Sequence, residues 1–162
     1  MSESFGSPQK LLALAAAQGF SATLHPADHS MPTVKIAAAA LGIAENTMTK
    51  NVVFLVKGEP VLVIARGSSL VDKRVLARHF GVGRKKVKLA TPAQTFEATG
   101  FVAGCVPPFG HKTALPTFID EEVCELERVY GGTSDPKVLI SLPLDQLLTI
   151  TGAKVMVLAL KR

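Results

Sequence analysis

The 162-residue sequence lacks tryptophan and has a single tyrosine, so a platform for stacking nucleic-acid bases would have to use phenylalanine or histidine. It contains two cysteines, Cys105 and Cys124, which make no disulfide framework and match no zinc-binding spacing. This cysteine content is typical of a reduced, cytosolic protein. We therefore expect a cytoplasmic location.

Long apolar runs and cofactor motifs are also missing. The apolar stretch from Leu11 to Ala17 is too short to span a bilayer, so we expect no membrane partner. There is no Walker-type phosphate loop and no GxGxxG motif after a predicted strand. The histidines do not pair at the helical spacing of metal ligands; they are His25, His29, His79 and His111. The sequence therefore predicts no metal site and no cofactor.

The composition is that of a globular protein with an excess of positive charge. Hydrophobic residues make up 48% of the sequence and charged residues 19%, which excludes the disordered class. We expect a flexible tail at residues 1–6 and one domain over residues 7–162. The net charge of +5 is compatible with a phosphate-rich partner such as RNA.

The strongest strand signals lie at Lys50–Val56 and Val61–Ala65, which are separated by a hairpin sequence at Lys57–Pro60. Short links of this kind predict antiparallel pairing. Further strands are predicted up to a last one at Ala153–Leu160, and Asp120 is predicted to cap a helical turn. Predicted helices stand between hairpins rather than alternating with strands. We expect an α+β fold with a mixed, mostly antiparallel, barrel-like sheet flanked by helices.

A loop rich in glycine and proline runs from Gly100 to His111, and we call it the glycine–proline loop. Its prolines and glycines exclude a regular helix or strand, and its apolar residues indicate burial. We predict a rigid loop that brings its backbone close to a bound molecule. The candidate binding residues in it are Gly100, Gly104, Cys105, Val106, Pro107, Pro108, Phe109, Gly110 and His111.

Two features of the sequence allow more than one interpretation. Cys105 and His111 could form a nucleophile–base pair, but no carboxylate or asparagine at a readable spacing would orient the histidine, which favours a small, inert cysteine. Lys50 begins an otherwise apolar strand, so it is either a solvated strand end or a cation at the mouth of a cleft. The lysines of the basic run are a solvated face or a phosphate-contact patch; they are Lys85, Lys86 and Lys88.

These motifs, taken in order along the chain, resemble the YbaK/prolyl-tRNA-synthetase-associated editing domains. The resemblance covers nearly the whole sequence. It rests on Thr33 with the alanines of the helix that follows, on Lys50 before Val52-Val53-Phe54, and on the segment Gly104 to Gly110. It also includes Asp120 after a strand and the late pair Gly131-Gly132.

The resemblance implies a hydrolase that cleaves the ester between an amino acid and the terminal ribose of tRNA, without a metal or a covalent nucleophile. Lys50 and Gly104 would be the catalytic residues, with Lys50 binding the tRNA end or polarising the ester and the Gly104 region supplying backbone donors. Asn51, Gly131 and Gly132 join the glycine–proline loop as candidate substrate-binding residues. The implied partners are the CCA end of aminoacyl-tRNA and an aminoacyl-tRNA synthetase.

The sequence departs from the family members that act on cysteinyl-tRNA. Tyr130 stands before Gly131 where those members carry serine, and Leu24-His25 stands in the region of their early tyrosine. The amino acid therefore stays open among Cys, Ala, Ser and Thr. The alternative function is a non-catalytic module that binds a tRNA end, a nucleotide or a synthetase. Oligomeric state is not indicated by any feature of the sequence.

Overall fold

The computed structural model describes residues 6–160. The tail predicted at residues 1–6 lies, apart from Gly6, outside the described residues. Within them, none of the helices has the length and the apolar character that a membrane crossing needs.

Five α-helices and eight strands make up the regular structure of residues 6–160. The helices are α1 (Pro8–Ala17), α2 (Val34–Leu41), α3 (Lys73–Phe80), α4 (Pro92–Thr99) and α5 (Leu144–Thr151). The strands are β1 (Thr23–Pro26), β2 (Thr49–Val56), β3 (Glu59–Arg66), β4 (Val87–Leu89), β5 (Thr117–Asp120), β6 (Arg128–Gly131), β7 (Val138–Pro143) and β8 (Lys154–Met156).

The predicted α+β class is confirmed, and its strands form two sheets that do not close into a barrel. One sheet has the order β4-β2-β3-β5-β8 and the other the order β1-β7-β6. Pairing is mixed and mostly antiparallel, with parallel pairs at β3–β5 and β5–β8. The edge strands of the larger sheet, β4 and β8, are only three residues long and do not pair with each other. The two sheets meet at an isolated bridge between Met48 and Tyr130.

The central strands are held from both faces, which gives the start of β2 a rigid support. Alternate residues of a strand point to opposite faces. On β3, Leu62 and Ile64 pack into a core with α1 and the glycine–proline loop, whereas Val61 and Val63 pack into a second core beside α3. The predicted hairpin joins β2 to β3, and its turn has the two positive φ values of a type I′ turn, at Lys57 and Gly58.

The prediction that Asp120 caps a helical turn is wrong. Asp120 ends β5, is fully buried, and its Oδ1 accepts hydrogen bonds from the amides of Leu158 (2.7 Å) and Ala159 (3.0 Å). The same contacts explain why the last strand is shorter than the predicted range Ala153–Leu160. Amides that bond to a side chain cannot also join a strand ladder, so β8 ends at Met156.

Candidate active site

A cavity of about 480 Å³ lies where α2, the start of β2, the β4–α4 junction and the glycine–proline loop meet. This volume is within the range of small-molecule sites. Most of the wall is apolar or small. The lining residues that carry the argument are Lys50, Asn51, Leu89, Gly104, Val106 and Gly132.

Lys50 is the only charged residue that lines this cavity among residues 6–160. Its side chain is half-buried, and its Nζ donates a hydrogen bond to the carbonyl oxygen of Ser69. Burial lowers the pKa of the Lys50 ammonium below its ordinary value, because the charged form is poorly solvated there. No carboxylate within the described chain pairs with it. Lys50 is therefore a cation whose one bond is to a neutral carbonyl.

Asn51, the next residue of β2, joins the strand to the glycine–proline loop. Its Nδ2 donates to the carbonyl oxygen of Val106 at 2.9 Å, and its Oδ1 is buried without a hydrogen-bond partner in the described chain. A buried amide oxygen without a partner is costly, and this cost stands against the bond that Nδ2 makes to the loop.

The glycine–proline loop is closed at its base and anchored in the core. The amide of Lys112 donates to the carbonyl oxygen of Thr99 at 2.9 Å, where α4 ends. Within the loop, His111 Nε2 is 2.7 Å from the carbonyl oxygen of Pro107. Phe101 and Phe109 are buried in the first core. The loop is therefore held in place by hydrogen bonds within it and by buried side chains.

Gly104 stands on the cavity side of this loop with a φ of +89°, a conformation that side chains disfavour. The neighbouring amide of Cys105 is used within the loop, since it donates to the carbonyl oxygen of Val102 at 3.0 Å. The amides of Gly104 and Val106 donate to no atom of the described residues. Two main-chain donors are thus available beside the cavity.

The late glycines allow the β6–β7 connection to approach the same loop. A Cβ on Gly132 would lie 3.1 Å from the carbonyl carbon of Cys105 and 3.2 Å from the carbonyl oxygen of Val106. A Cβ on Gly131 would lie 3.3 Å from Pro108 Cδ. Glycine at both positions therefore permits close packing of backbone on backbone.

The proposed pair of Cys105 and His111 is not set up for thiolate chemistry. Burial, together with the carboxylate of Asp135, raises the pKa of the Cys105 thiol. Burial lowers the pKa of His111, whose Nε2 contacts a backbone carbonyl. Both shifts favour the neutral forms, which supports the interpretation of Cys105 as a small, unreactive residue.

Some of the predicted site residues line the cavity and others do not. Lys50, Asn51, Gly104, Val106 and Gly132 line the cavity. The remaining predicted residues do not line it and instead shape or support the wall; they are Gly100, Cys105, Pro107, Pro108, Phe109, Gly110, His111 and Gly131. Gly110, for example, faces α1, where a Cβ would lie 2.6 Å from Leu11 Cδ2.

Sequence reasoning missed the apolar wall opposite the loop. That wall comes from the connection before α2, from α2 itself, and from the two sheets; its residues are Met31, Val34, Ala37, Met48 and Leu139. It also missed Ser69 as the partner of Lys50. Tyr130 does not line the cavity; the centroid of its ring is 5.1 Å from the centroid of the His25 ring. Residues 6–160 contain no group of three His, Cys, Asp or Glu side chains placed to hold a metal ion.

A family model described as the aminoacyl-tRNA editing domain matches residues 28–150. The chain is 26% identical over 127 residues to the uncharacterised protein YwhH of Bacillus subtilis, covering 78% of this chain and 79% of YwhH. It is 26% identical over 118 residues to EbsC of Enterococcus faecalis, named as a candidate Cys-tRNA(Pro)/Cys-tRNA(Cys) deacylase, covering 72% of this chain and 71% of EbsC.

A solved structure has nearly the same fold. It is described as a candidate trans-editing enzyme for prolyl tRNA synthetase, and it superposes with a TM-score of 0.86 at 29% identity. The superposition covers 95% of this chain and 97% of that one. The likeness therefore extends over nearly the whole chain.

Proposed function

The chain belongs to the aminoacyl-tRNA editing domain family, and we propose that it is a trans-editing deacylase of mischarged aminoacyl-tRNA. In the proposed reaction, water attacks the ester carbonyl carbon, the bond from that carbon to the ribose oxygen breaks, and a proton of the water passes to the ribose oxygen; free amino acid and a free ribose hydroxyl result. Alternatively, a hydroxyl of the substrate attacks first and takes over the acyl group, its proton passes to the released ribose oxygen, and one water then hydrolyses the new ester. The supporting observation is one cavity that holds a lone cation, Lys50, beside unpaired main-chain amides.

Lys50 is proposed to bind the esterified end of the tRNA or to polarise the ester. Its ammonium bonds to the Ser69 carbonyl and has no acidic partner in the described chain. An ammonium has three donors, so it can contact a phosphate or carbonyl oxygen of the substrate as well. In an apolar cavity such a contact is stronger than it would be in water.

The glycine–proline loop is proposed to stabilise the negative charge that develops on the carbonyl oxygen. Preorganised amides aimed at a developing oxyanion are among the largest contributions to catalysis of acyl transfer. The amides of Gly104 and Val106 are candidates for this role. Asn51 would hold the loop at the correct distance through its bond to Val106.

The proposed substrates carry a small amino acid, namely Cys, Ala, Ser or Thr, on a tRNA that prolyl-tRNA synthetase mischarges. Support comes from the names of EbsC and of the trans-editing structure, and from the small, apolar lining of the cavity. An apolar pocket separates amino acids that differ by one methylene by only ~1–3 kcal/mol. The choice among these four therefore needs measurement.

The test is a panel of tRNAs mischarged with each amino acid, incubated with the protein and with the Lys50→Ala variant. We expect at least one ester to be lost faster than in buffer, with and without a chelator, since the mechanism uses no metal. Lys50→Ala should slow that loss by about 10²–10³-fold, the effect of removing one key stabilising group. Lys154→Ala, an exposed lysine on β8, is the matched control and should behave like the parent.

If no ester in the panel is lost faster than in buffer, and Lys50→Ala equals the parent, the deacylase proposal fails. Tight binding of tRNA without turnover would instead support the alternative, a non-catalytic module that recognises the tRNA end. A chelator that abolishes turnover would overturn the metal-free mechanism while leaving the deacylase intact.

A further inference from the structure

Five exposed basic side chains lie together at one end of the larger sheet. They come from the β2–β3 turn, from the helical turn before β4 and from β4 itself, and we call them the basic rim: Lys57, Arg84, Lys85, Lys86 and Lys88. The two turns are joined by a hydrogen bond from the amide of Lys57 to the carbonyl oxygen of Lys86, at 2.9 Å. The rim is thus one surface rather than two separate charge runs.

The charge of the basic rim is largely uncompensated. The ion pairs within residues 6–160 are Arg66–Glu125 and Arg74–Asp72, and neither includes a residue of the rim. Glu59, which pairs in register with Val56, is the acidic residue of the same turn. The whole chain has a net charge of +5, so the rim accounts for much of its positive excess. Such a surface attracts polyanions.

The basic rim and the cavity lie on the same two strands. Val53 and Leu89 line the cavity, whereas Lys57 and Lys88 belong to the rim. Lys57 follows Val53 by four positions along β2 and its turn, a distance of about 13 Å in an extended strand. Leu89, which is 58% exposed, lines the cavity at the end of β4. Lys88 pairs with Leu55 of β2, so its side chain is on the same face of the sheet as Val53.

We propose that the basic rim binds the phosphates of the RNA strand that leads to the nucleotide in the cavity; this inference rests on the proposed function. A strand whose end enters the cavity past Leu89 would carry its next phosphates along β4 towards Lys88 and Lys85. Lysine and arginine bind phosphates mainly through charge, without reading sequence. The rim would therefore supply affinity for tRNA in general, and the cavity would supply selection of the amino acid.

The experiment compares Lys85→Ala/Lys88→Ala with a charge-matched control, Lys137→Ala/Lys154→Ala, whose lysines are exposed and outside the rim. Binding of uncharged tRNA is measured by fluorescence between 50 and 200 mM salt. Each lost phosphate contact should reduce the slope of log affinity against log salt by roughly 0.7–0.9. We expect the rim variant to lose about two such contacts and at least tenfold in affinity at low salt, and the control to match the parent.

A second measurement separates this inference from the proposed function. Single-turnover deacylation is followed on intact mischarged tRNA and on an aminoacylated CCA trinucleotide at saturating concentration. The rim variant should deacylate intact tRNA more slowly than the parent at subsaturating tRNA, and should deacylate the trinucleotide at the rate of the parent. If it binds tRNA with the affinity and salt slope of the parent, the rim is not the phosphate surface. If the parent deacylates neither substrate but the rim variant still loses tRNA affinity, the deacylase proposal fails and the rim stands.

Discussion

The two walls of the cavity present different chemistry. On the β2 wall, the lining residues carry polar side chains: the ammonium of Lys50, and the amide of Asn51, which bonds to the loop. On the loop wall, Gly104 has no side chain, and the polar groups are the free amides of Gly104 and Val106. Mutation of a side chain should therefore matter on the first wall, whereas on the second wall only changes of backbone geometry should matter.

Rigidity is what the two walls share, and they reach it differently. The β2 wall is held by strand pairing with β3 and β4 and by cores on both faces of the sheet. The loop wall has no strand partner and is held by buried phenylalanines, by prolines, and by the bond of His111 to Pro107. A preorganised site needs both walls to be held in place, because the hydrogen-bond donors must be in position before the substrate arrives.

After Lys50→Ala, the largest effect is expected for Asn51→Leu, which removes the bond between the two walls and keeps the number and branching of the side-chain heavy atoms. The carbonyl of Val106 loses its donor, which should cost about 1–3 kcal/mol in the free energy of unfolding. The loop also loses its hydrogen bond to β2, and a displacement of its amides by about 1 Å can cost ~10²-fold in rate. Urea unfolding and single-turnover deacylation measure the two effects.

The control for Asn51→Leu is Gln146→Leu on α5, away from the cavity. The side-chain oxygen of Gln146 accepts a hydrogen bond from the backbone N–H of Ser21 at 2.8 Å, and the control removes that bond. Deacylation should be unchanged in that variant. If Asn51→Leu keeps the rate of the parent, the strand does not position the loop and the two walls act independently.

A smaller effect is expected for Gly104→Ala, which tests backbone geometry on the loop wall. At a φ of +89° a Cβ costs about 1–2 kcal/mol, although no atom within 4 Å would clash with it. Relief of this strain should turn the amide away from the cavity and lower deacylation about tenfold. The matched control is Gly83→Ala, at an ordinary φ of −70° and also in open space, which should have the activity of the parent. Equal rates in both variants would remove the Gly104 amide from the mechanism.

Much of the fold was readable from local signals in the sequence. Thr33 accepts from the amide of Ile36 at the start of α2, and Lys57-Gly58 forms the predicted hairpin turn, because both depend on neighbouring residues alone. The division into two sheets was not readable. It depends on the pairing of β1 with β7, more than a hundred residues apart in sequence. The role of Asp120 was missed for the same reason, since its partners are Leu158 and Ala159.

The residues of the candidate site also differ in whether the sequence itself could identify them. Lys50 and Gly104 could be selected from sequence because a lysine that begins an apolar strand and a glycine in a rigid loop are unusual by themselves. Phe109 and His111 were selected by adjacency to Gly104, yet neither lines the cavity, and Phe109 packs into the core. Ser69 carries no sequence signal, because it contributes a backbone carbonyl that any residue has.

The smallest effect is expected for Cys105→Ala, a side-chain change on the wall where side chains should not matter. The thiol is half-buried, its pKa is raised by burial and by Asp135, and the residue's main-chain bonds to Val102 and Ser134 do not need sulfur. Deacylation by Cys105→Ala should stay within about twofold of the parent, measured on the best substrate of the panel and repeated at pH 9, where a required thiolate would raise the rate of the parent selectively. A loss of more than tenfold in the deacylation rate would show that the Cys105 thiol takes part in the reaction, so that side chains of both walls would contribute to catalysis.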